Sequence, residues 1–266
     1  MKNILIIFVF IFLFLIYIIY NKYEYKINGG KLNATKIKKI NIIVPVRNRK
    51  EELKEFIFNI DKIMKSNEIN YRIYIVEQSY NNSSFNRGKL INIGVLESIK
   101  HNFSNIYYIT DVDIYPKTYN TFVMKYMTGT IKHLYGNIDT LGGVFIIDKD
   151  TYLKINGYSN NYWSWGLEDN DLFERAKKLN IILDRTNFSK RYSNNNIIDK
   201  PSPKEYQIIK KNMYKINKIK FLKNKKLYEN DYNFIKNDGF NNIDYKINKI
   251  NMYNNKSYIL NYLVDV

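Results

Sequence analysis

Two tryptophans, a glycine and a carboxylate cluster crowd together between Asn156 and Leu179, in the string NGYSNNYWSWGLEDNDLFERAKKL. Trp163 and Trp165 offer flat apolar faces of the kind that lie against the C–H faces of a pyranose. Gly166 permits a backbone turn, and Glu168, Asp169 and Asp171 then fall in the first turn of an amphipathic helix with apolar positions Leu172, Phe173, Ala176 and Leu179. Carboxylates at that end are favoured by the helix dipole, so the acids alone also fit a plain N-terminal cap. The aromatic and glycine neighbours move the reading to a sugar-binding catalytic loop. A second acidic group closes the apolar run IYYITDVDIYP, from Ile106 to Pro116. In an extended backbone Asp111 and Asp113 project to one side, as is needed to hold a divalent cation that also carries a diphosphate. A solvated strand end has the same appearance, so the tripeptide gains force only beside the first cluster.

In their order along the chain these blocks resemble the beta-1,4-galactosyltransferase family of nucleotide-sugar glycosyltransferases. PVRNR at Pro45 to Arg49 is similar to the family's uridine-binding PFRNR, and FNRGKLINIG at Phe85 to Gly94 to FNRAKLLNVG. DVD at Asp111 to Asp113 matches the metal and diphosphate motif. GGV at Gly142 to Val144 precedes NGYSNNYWSWGLEDND, which is similar to NGFPNNYWGWGGEDDD. The match runs from about Lys39 to about Asn187. Similar WGLED strings occur in chondroitin-synthesising and polypeptide N-acetylgalactosamine transferases, so the class is marked more firmly than the donor sugar.

The resemblance implies a GT-A-type nucleotide-sugar-binding fold and transfer, with inversion, of galactose or N-acetylgalactosamine from a UDP-sugar to a glycan acceptor. The alternatives are a chondroitin-type transferase using UDP-GlcA or UDP-GalNAc, and an inactive carbohydrate-binding relic. It assigns the catalytic base to Asp169 with Glu168 in support, and acceptor contacts to Trp165, Gly166, Asp169 and Asn170. Donor contacts fall to Pro45, Arg47, Arg49, Phe85, Arg87, Asp111, Val112, Asp113, Thr140, Gly142 and Gly143, and Mn2+ to Asp113.

Four departures from the family pattern bear on those roles. The family's metal-binding methionine and histidine follow the acceptor helix, whereas RTNFSKRYSNNN at Arg185 to Asn196 offers only Tyr192, Ser193 and asparagines. His101 and His133 match no motif and read as ordinary surface or packing residues. Asn170 replaces an aspartate that contacts the acceptor, and an amide can donate as well as accept. Val46 stands where the family has Phe. Thr140-Leu141 replaces a bulky aromatic pair at a position that crowds the donor's second carbon, leaving room for an N-acetyl group.

Positioning these groups requires a frame. Ile42 to Val46, Tyr71 to Val76 and Ile106 to Thr110 read as strands, and Glu51 to Met64 and Arg87 to Lys100 as amphipathic helices. Such alternation predicts an α/β fold with a mostly parallel central sheet flanked by helices and ligands at the carboxyl ends of its strands. A turn, strand and short helix follow Gly142, and Lys204 to Tyr214 reads as a helix. Beyond it the Lys/Asn-rich remainder to about Lys256 shows no clear element and is expected to be partly loose.

Ile4 to Tyr20 is an uncharged apolar run of seventeen residues, near the lower limit of about 17–25 for a bilayer-spanning helix. The expected organisation is an N-terminal transmembrane signal anchor over 1–20, a short stem over 21–38 and one catalytic domain over 39–266. Lysines after the run, counted by the positive-inside rule, would leave the domain in the cytosol, whereas the resemblance implies a type II protein with a lumenal Golgi or ER domain. The expectation follows the resemblance. The formal net charge is +17, but its lysines are scattered among Asn, Ile and Tyr with no nucleic-acid motif, so no nucleic-acid partner is expected. Cysteine is absent, so the fold has no disulfide to rely on.

Overall fold

The computed structural model describes residues 34–80, 83–117, 125–193, 197–199, 202–230, 237–253 and 256–266. The run expected as an anchor lies outside them. Among the described residues no helix is long and apolar enough to cross a membrane. Residues 34–266 form a compact unit.

Strand β1 (Thr35–Lys36) leads into β2 (Lys39–Val46), α1 (Lys50–Ser66), β3 (Asn70–Gln78), α2 (Arg87–His101) and β4 (Ile106–Ile109). Next come β5 (Ile114–Pro116), β6 (Lys125–Tyr126), β7 (Thr130–Gly136), β8 (Val144–Asp148), α3 (Lys149–Lys154) and α4 (Glu168–Lys178). The chain continues through β9 (Ile182–Asp184), β10 (Ser189–Lys190), β11 (Ile197–Asp199), α5 (Pro203–Asn230), β12 (Lys246–Met252) and β13 (Ile259–Asp265). One sheet runs in the order β10-β7-β8-β4-β2-β3-β13-β12, with β9 also on β7. Strands β4, β2, β3 and β13 pair in parallel, while β8 and β12 run against their neighbours.

Strand β2 can sit in the middle because, past Lys39, KINIIVPV is buried throughout, as a strand covered on both faces must be. On one face α1 contributes Phe56, Ile60 and Met64 to a core with Ile42 and Val44. On the other, α2 lies directly on β2 and β3. A Cβ at Gly94 would stand 2.6 Å from Ile43 Cγ2 and 2.9 Å from Val76 Cγ2, so glycine is what allows that approach. β1 pairs with β6, and Ile37 is buried in the first core, so packing begins ahead of Lys39.

The carboxyl ends of β2, β3 and β4 release Arg47 to Arg49, the loop after Gln78, and Asp111 to Asp113 at one rim. Because β8 runs antiparallel to β4, its leading Gly142-Gly143 arrives at the same rim. The expectation for the distal chain is corrected. Residues 246–252 and 259–265 form a hairpin whose second strand pairs in parallel with β3, and the helix expected over Lys204 to Tyr214 continues to Asn230 past a kink at Asn217. The Lys/Asn-rich stretch hides β12, whose partner β13, ILNYLVD, buries Ile259, Tyr262 and Val264 fully.

Candidate active site

The rim encloses a cleft of about 990 Å³ lined by both motif groups. Pro45, Arg47, Arg49, Phe85, Arg87, Asp111, Val112 and Asp113 line it, as do Thr140, Gly142, Gly143, Trp165, Gly166, Glu168, Asp169 and Asn170. Every residue expected in the site is therefore brought together. Trp163 is not part of that lining, and its carbonyl instead accepts from Asn224 Nδ2 at 3.1 Å.

Arg87, the first residue of α2, joins the donor and acceptor motifs. Its Nε donates to Asp111 at 2.5 Å and its Nη1 to Asp169 at 2.7 Å, with Glu168 4.0 Å away. Tyr158 lies under the guanidinium, its hydroxyl 3.3 Å from Nη1. Nη2 is buried and has no hydrogen-bond partner. A buried donor without a partner is costly.

Asp169 sits against a backbone that only glycine permits. A Cβ at Gly142 would lie 2.4 Å from Asp169 Oδ2. Gly143 has φ +87° and passes so close to Tyr135 that a Cβ would stand 2.3 Å from its carbonyl oxygen. Leu141 N–H donates to the Asp169 carbonyl at 3.2 Å, tying the Thr140 turn to the start of α4. The Thr140 hydroxyl accepts from Gly142 N–H at 3.1 Å. His133, read as a packing residue, supports this turn. Its Nε2 lies 3.0 Å from the Gly142 carbonyl and Arg185 Nε lies 3.4 Å from its Nδ1, which fits a neutral ring donating through Nε2. Burial pushes its pKa down to about 4.

The carboxylates are electrostatically loaded. Burial, then the Asp169 charge, pushes Glu168 up to about 8, with Arg87 opposing. Burial raises Asp169 as well, Arg87 pulls it back, and Asp111 adds to the rise. Such values suit a group that must take a proton near neutrality. They also set a stability trend. A carboxyl whose folded pKa exceeds its unfolded value of 4.5 weakens the fold as pH rises from 4.5 to about 8, by about 1.4 kcal/mol for each tenfold gain in proton affinity on folding. Glu168→Gln is therefore expected to raise the melting temperature at pH 8 to 9 and to leave it nearly unchanged at pH 4, measured by thermal denaturation across pH. An equal effect at both pH values would contradict this account. Asp171 is different in role: it pairs with buried Arg175 at 2.6 Å and holds the helix rather than facing the cleft.

Asp111 and Asp113 do not project together as an extended strand would place them. β4 ends at Ile109 and the pair occupies a turn closed by Ile114 N–H to the Asp111 carbonyl at 3.1 Å. Asp111 turns to Arg87, while Asp113, pushed up to about 7 by burial and then by Asp111, makes no ion pair among the described residues. A partly buried carboxylate that opens into the cleft and has only the Arg49 charge to offset it would fit a hard divalent ion whose shell is completed by phosphate and water. The described residues hold no group of three or more His, Cys, Asp or Glu that could bind a metal by itself, so Asp113 would need the donor's oxygens. Where the family's later metal ligands are expected, the cleft is lined by Arg191, locked by two bonds to Asp199 at 2.7 and 3.0 Å.

Several residues that hold the site carry no motif of their own. Gln78 at the end of β3 binds Ser83, Ser84 and Asn86, shaping the loop that presents Phe85. Asn86 caps α2 and donates to the Asn160 carbonyl at 2.7 Å, and Asn92 donates to the Tyr158 carbonyl at 2.8 Å. Asp238 anchors the far side of the same loop through Ser159 and Asn160 N–H. Helix α5 closes one side of the cleft: Phe221 stacks on Trp165 with centroids 5.9 Å apart, and Asn224 donates to the carbonyls of Trp163 and Gly166. Arg191 and these α5 contacts could have been sought only from their charge and aromatic content.

A mixed sheet with an Asp-x-Asp turn, Arg47 and Arg49, and an acidic helix start at one rim is a GT-A-like arrangement. Residues 21–124 match the N-terminal region of glycosyl transferase group 7, and residues 129–196 the N-terminal domain of galactosyltransferase. The chain belongs to the beta-1,4-galactosyltransferase family. It is 34% identical over 157 residues to beta-1,4-galactosyltransferase 1 of Bos taurus, covering 56% of this chain and 39% of that one. To beta-1,4-galactosyltransferase 4 of Cricetulus griseus it is 31% identical over 175 residues, covering 61% and 50%. The chain thus spans half or less of the length of these relatives. In fold it is similar to a Drosophila beta-1,4-galactosyltransferase 7 mutant solved with manganese, UDP-Gal and xylobiose, with TM-score 0.66, 21% identity and coverage of 86% and 94%.

Proposed function

We propose that the protein is a UDP-sugar-dependent hexosyltransferase that moves galactose or N-acetylgalactosamine, with inversion, onto a hydroxyl of a glycan acceptor. The observation that carries this reading is Arg87, which lines the cleft and binds Asp111 on the proposed donor side and Asp169 on the proposed acceptor side at once. Relatives named as galactosyltransferases support the sugar and the donor class.

In one displacement the acceptor oxygen forms its bond to the anomeric carbon as that carbon's bond to the UDP oxygen breaks. UDP leaves with the electron pair, and the acceptor proton passes to Asp169. Arg47, stacked 5.9 Å from the Phe85 ring, and Arg49 face the nucleotide, where a planar fork suits phosphate and carbonyl oxygens. Asp113, with Asp111 beside it, would hold Mn2+, which when bound offsets charge on the departing diphosphate. Trp165, backed by Phe221, gives the acceptor an apolar face and keeps water from the donor. Thr140 leaves the wall beside the donor small, which favours acceptance of UDP-GalNAc with UDP-Gal. The apolar run over 4–20 supports a single-pass anchor, and the family resemblance a lumenal catalytic domain.

The test is a transfer and donor-hydrolysis assay with Mn2+ over UDP-Gal, UDP-GalNAc, UDP-Glc, UDP-GlcNAc and UDP-GlcA. Turnover with the first two, abolished in Asp113→Ala, is expected. Strict refusal of UDP-GalNAc would overturn the role given to Thr140, and no turnover by folded protein that binds UDP would overturn the transferase reading.

A further inference from the structure

Among the described residues, the contacts that fasten helix α5 lie on one side of it. Asn224 is buried and holds the tryptophan loop, Phe221 lies on Trp165, and Lys220 bonds Ser84. Away from those contacts Ile208, Ile216 and Ile219 stand 60%, 79% and 74% exposed, and Leu222 is also exposed. Up to the kink at Asn217, Ile208, Lys211 and Lys215 follow one another at spacings of three and four on one row, and past it Ile219 and Leu222 are three apart with Lys218 beside them. All six of these side chains are exposed. The helix PKEYQIIKKNMYKINKIKFLKNKKLYEN carries nine lysines against two glutamates.

We propose that this outer face of α5 docks on an anionic phospholipid surface. Isoleucines facing water are unfavourable unless something apolar receives them, and lysines beside them have long stems that reach out to phosphate while the isoleucines sink between headgroups. A protein groove would account for the isoleucines but not for the excess charge around them. Nucleic acid would account for the charge but has no use for the isoleucines. Basic charge with interspersed apolar anchors is complementary to an anionic bilayer interface in both respects. The inference is independent of the anchor and of the transferase reading. Its consequence is spatial: the inner side of the same helix walls the cleft, so a docked α5 would hold the acceptor entrance beside the lipid.

The absence of cysteine makes the test direct. Full-length protein carries an environment-sensitive fluorophore on Ile219→Cys or, as reference, on Phe58→Cys, a position on α1 that is 70% exposed. Each is measured with nanodiscs of phosphatidylcholine, alone or mixed with phosphatidylserine, containing headgroup spin-labelled lipid. The expected result is a blue shift and quenching at position 219 in phosphatidylserine discs, absent at position 58 and lost when Lys211, Lys215 and Lys218 are replaced together by Glu. That triple variant should keep the melting temperature and donor hydrolysis of the parent. Equal response at both positions, response retained in the triple variant, or a blue shift without discs, which would mean self-association, overturns the proposal.

Discussion

On the proposed function, Asp169→Asn is expected to lower sugar transfer by about 10²–10⁴-fold and to leave UDP binding intact, the span for losing a general base. The substitution is nearly isosteric, which matters where Gly142 leaves no spare room beside the carboxylate. The amide oxygen can still accept from Arg87 Nη1, but an amide does not take a proton. Removing the charge also relieves repulsion with Glu168 and Asp111, so the fold has no cause to fail. Initial rates of transfer, with UDP binding followed by calorimetry, check this. A variant that retains transfer within a few-fold of the parent would move the base elsewhere, with Glu168 the first alternative.

Arg87→Met has the opposite character, with the largest effect on the fold itself. It strips the cation from Asp111, Asp169 and Glu168 together, and removing one partner from a buried ionic cluster costs about 3–5 kcal/mol. Methionine fills much of the space, so the loss is electrostatic rather than a cavity. It should consequently shrink on acidification, as the raised carboxyls take up protons and no longer need a partner. Denaturant unfolding at pH 8 and pH 5 measures both values. A destabilisation that does not change with pH would mean that packing around the guanidinium, not its charge, holds the rim.

Much of this was legible in the residues. β2 announces itself as an unbroken apolar run, α1 and α2 as amphipathic stretches, and the tryptophan loop by composition, because each signal is contained within a few turns of chain. The arrangement around Asp111 and Asp113 was not, since a turn rather than a strand carries them. Gln78, Asn86, Asn92 and His133 look like ordinary polar residues until partners from distant segments are known. Asn92, for example, serves Tyr158 and Asn160 more than sixty positions away. The hairpin of β12 and β13 escaped because β12 is largely exposed and β13 draws its burial from β3.

The position of β13 between β3 and β12 bears on how the molecule assembles. Ile259 is partnered with Ile73, a closure across most of the chain, whereas β2, β3 and β4 with their two helices are neighbours in sequence. Closing long loops is slow, so the nucleotide side can consolidate from local contacts while the sheet is still open at β3. Asp238, which pins Ser159 and Asn160, lies on the connection into that late strand. On the proposed function, the wall that would meet the acceptor is thus expected to set last during folding, and a chain halted before then would already possess its arginine pocket while its tryptophan loop still lacked a clasp.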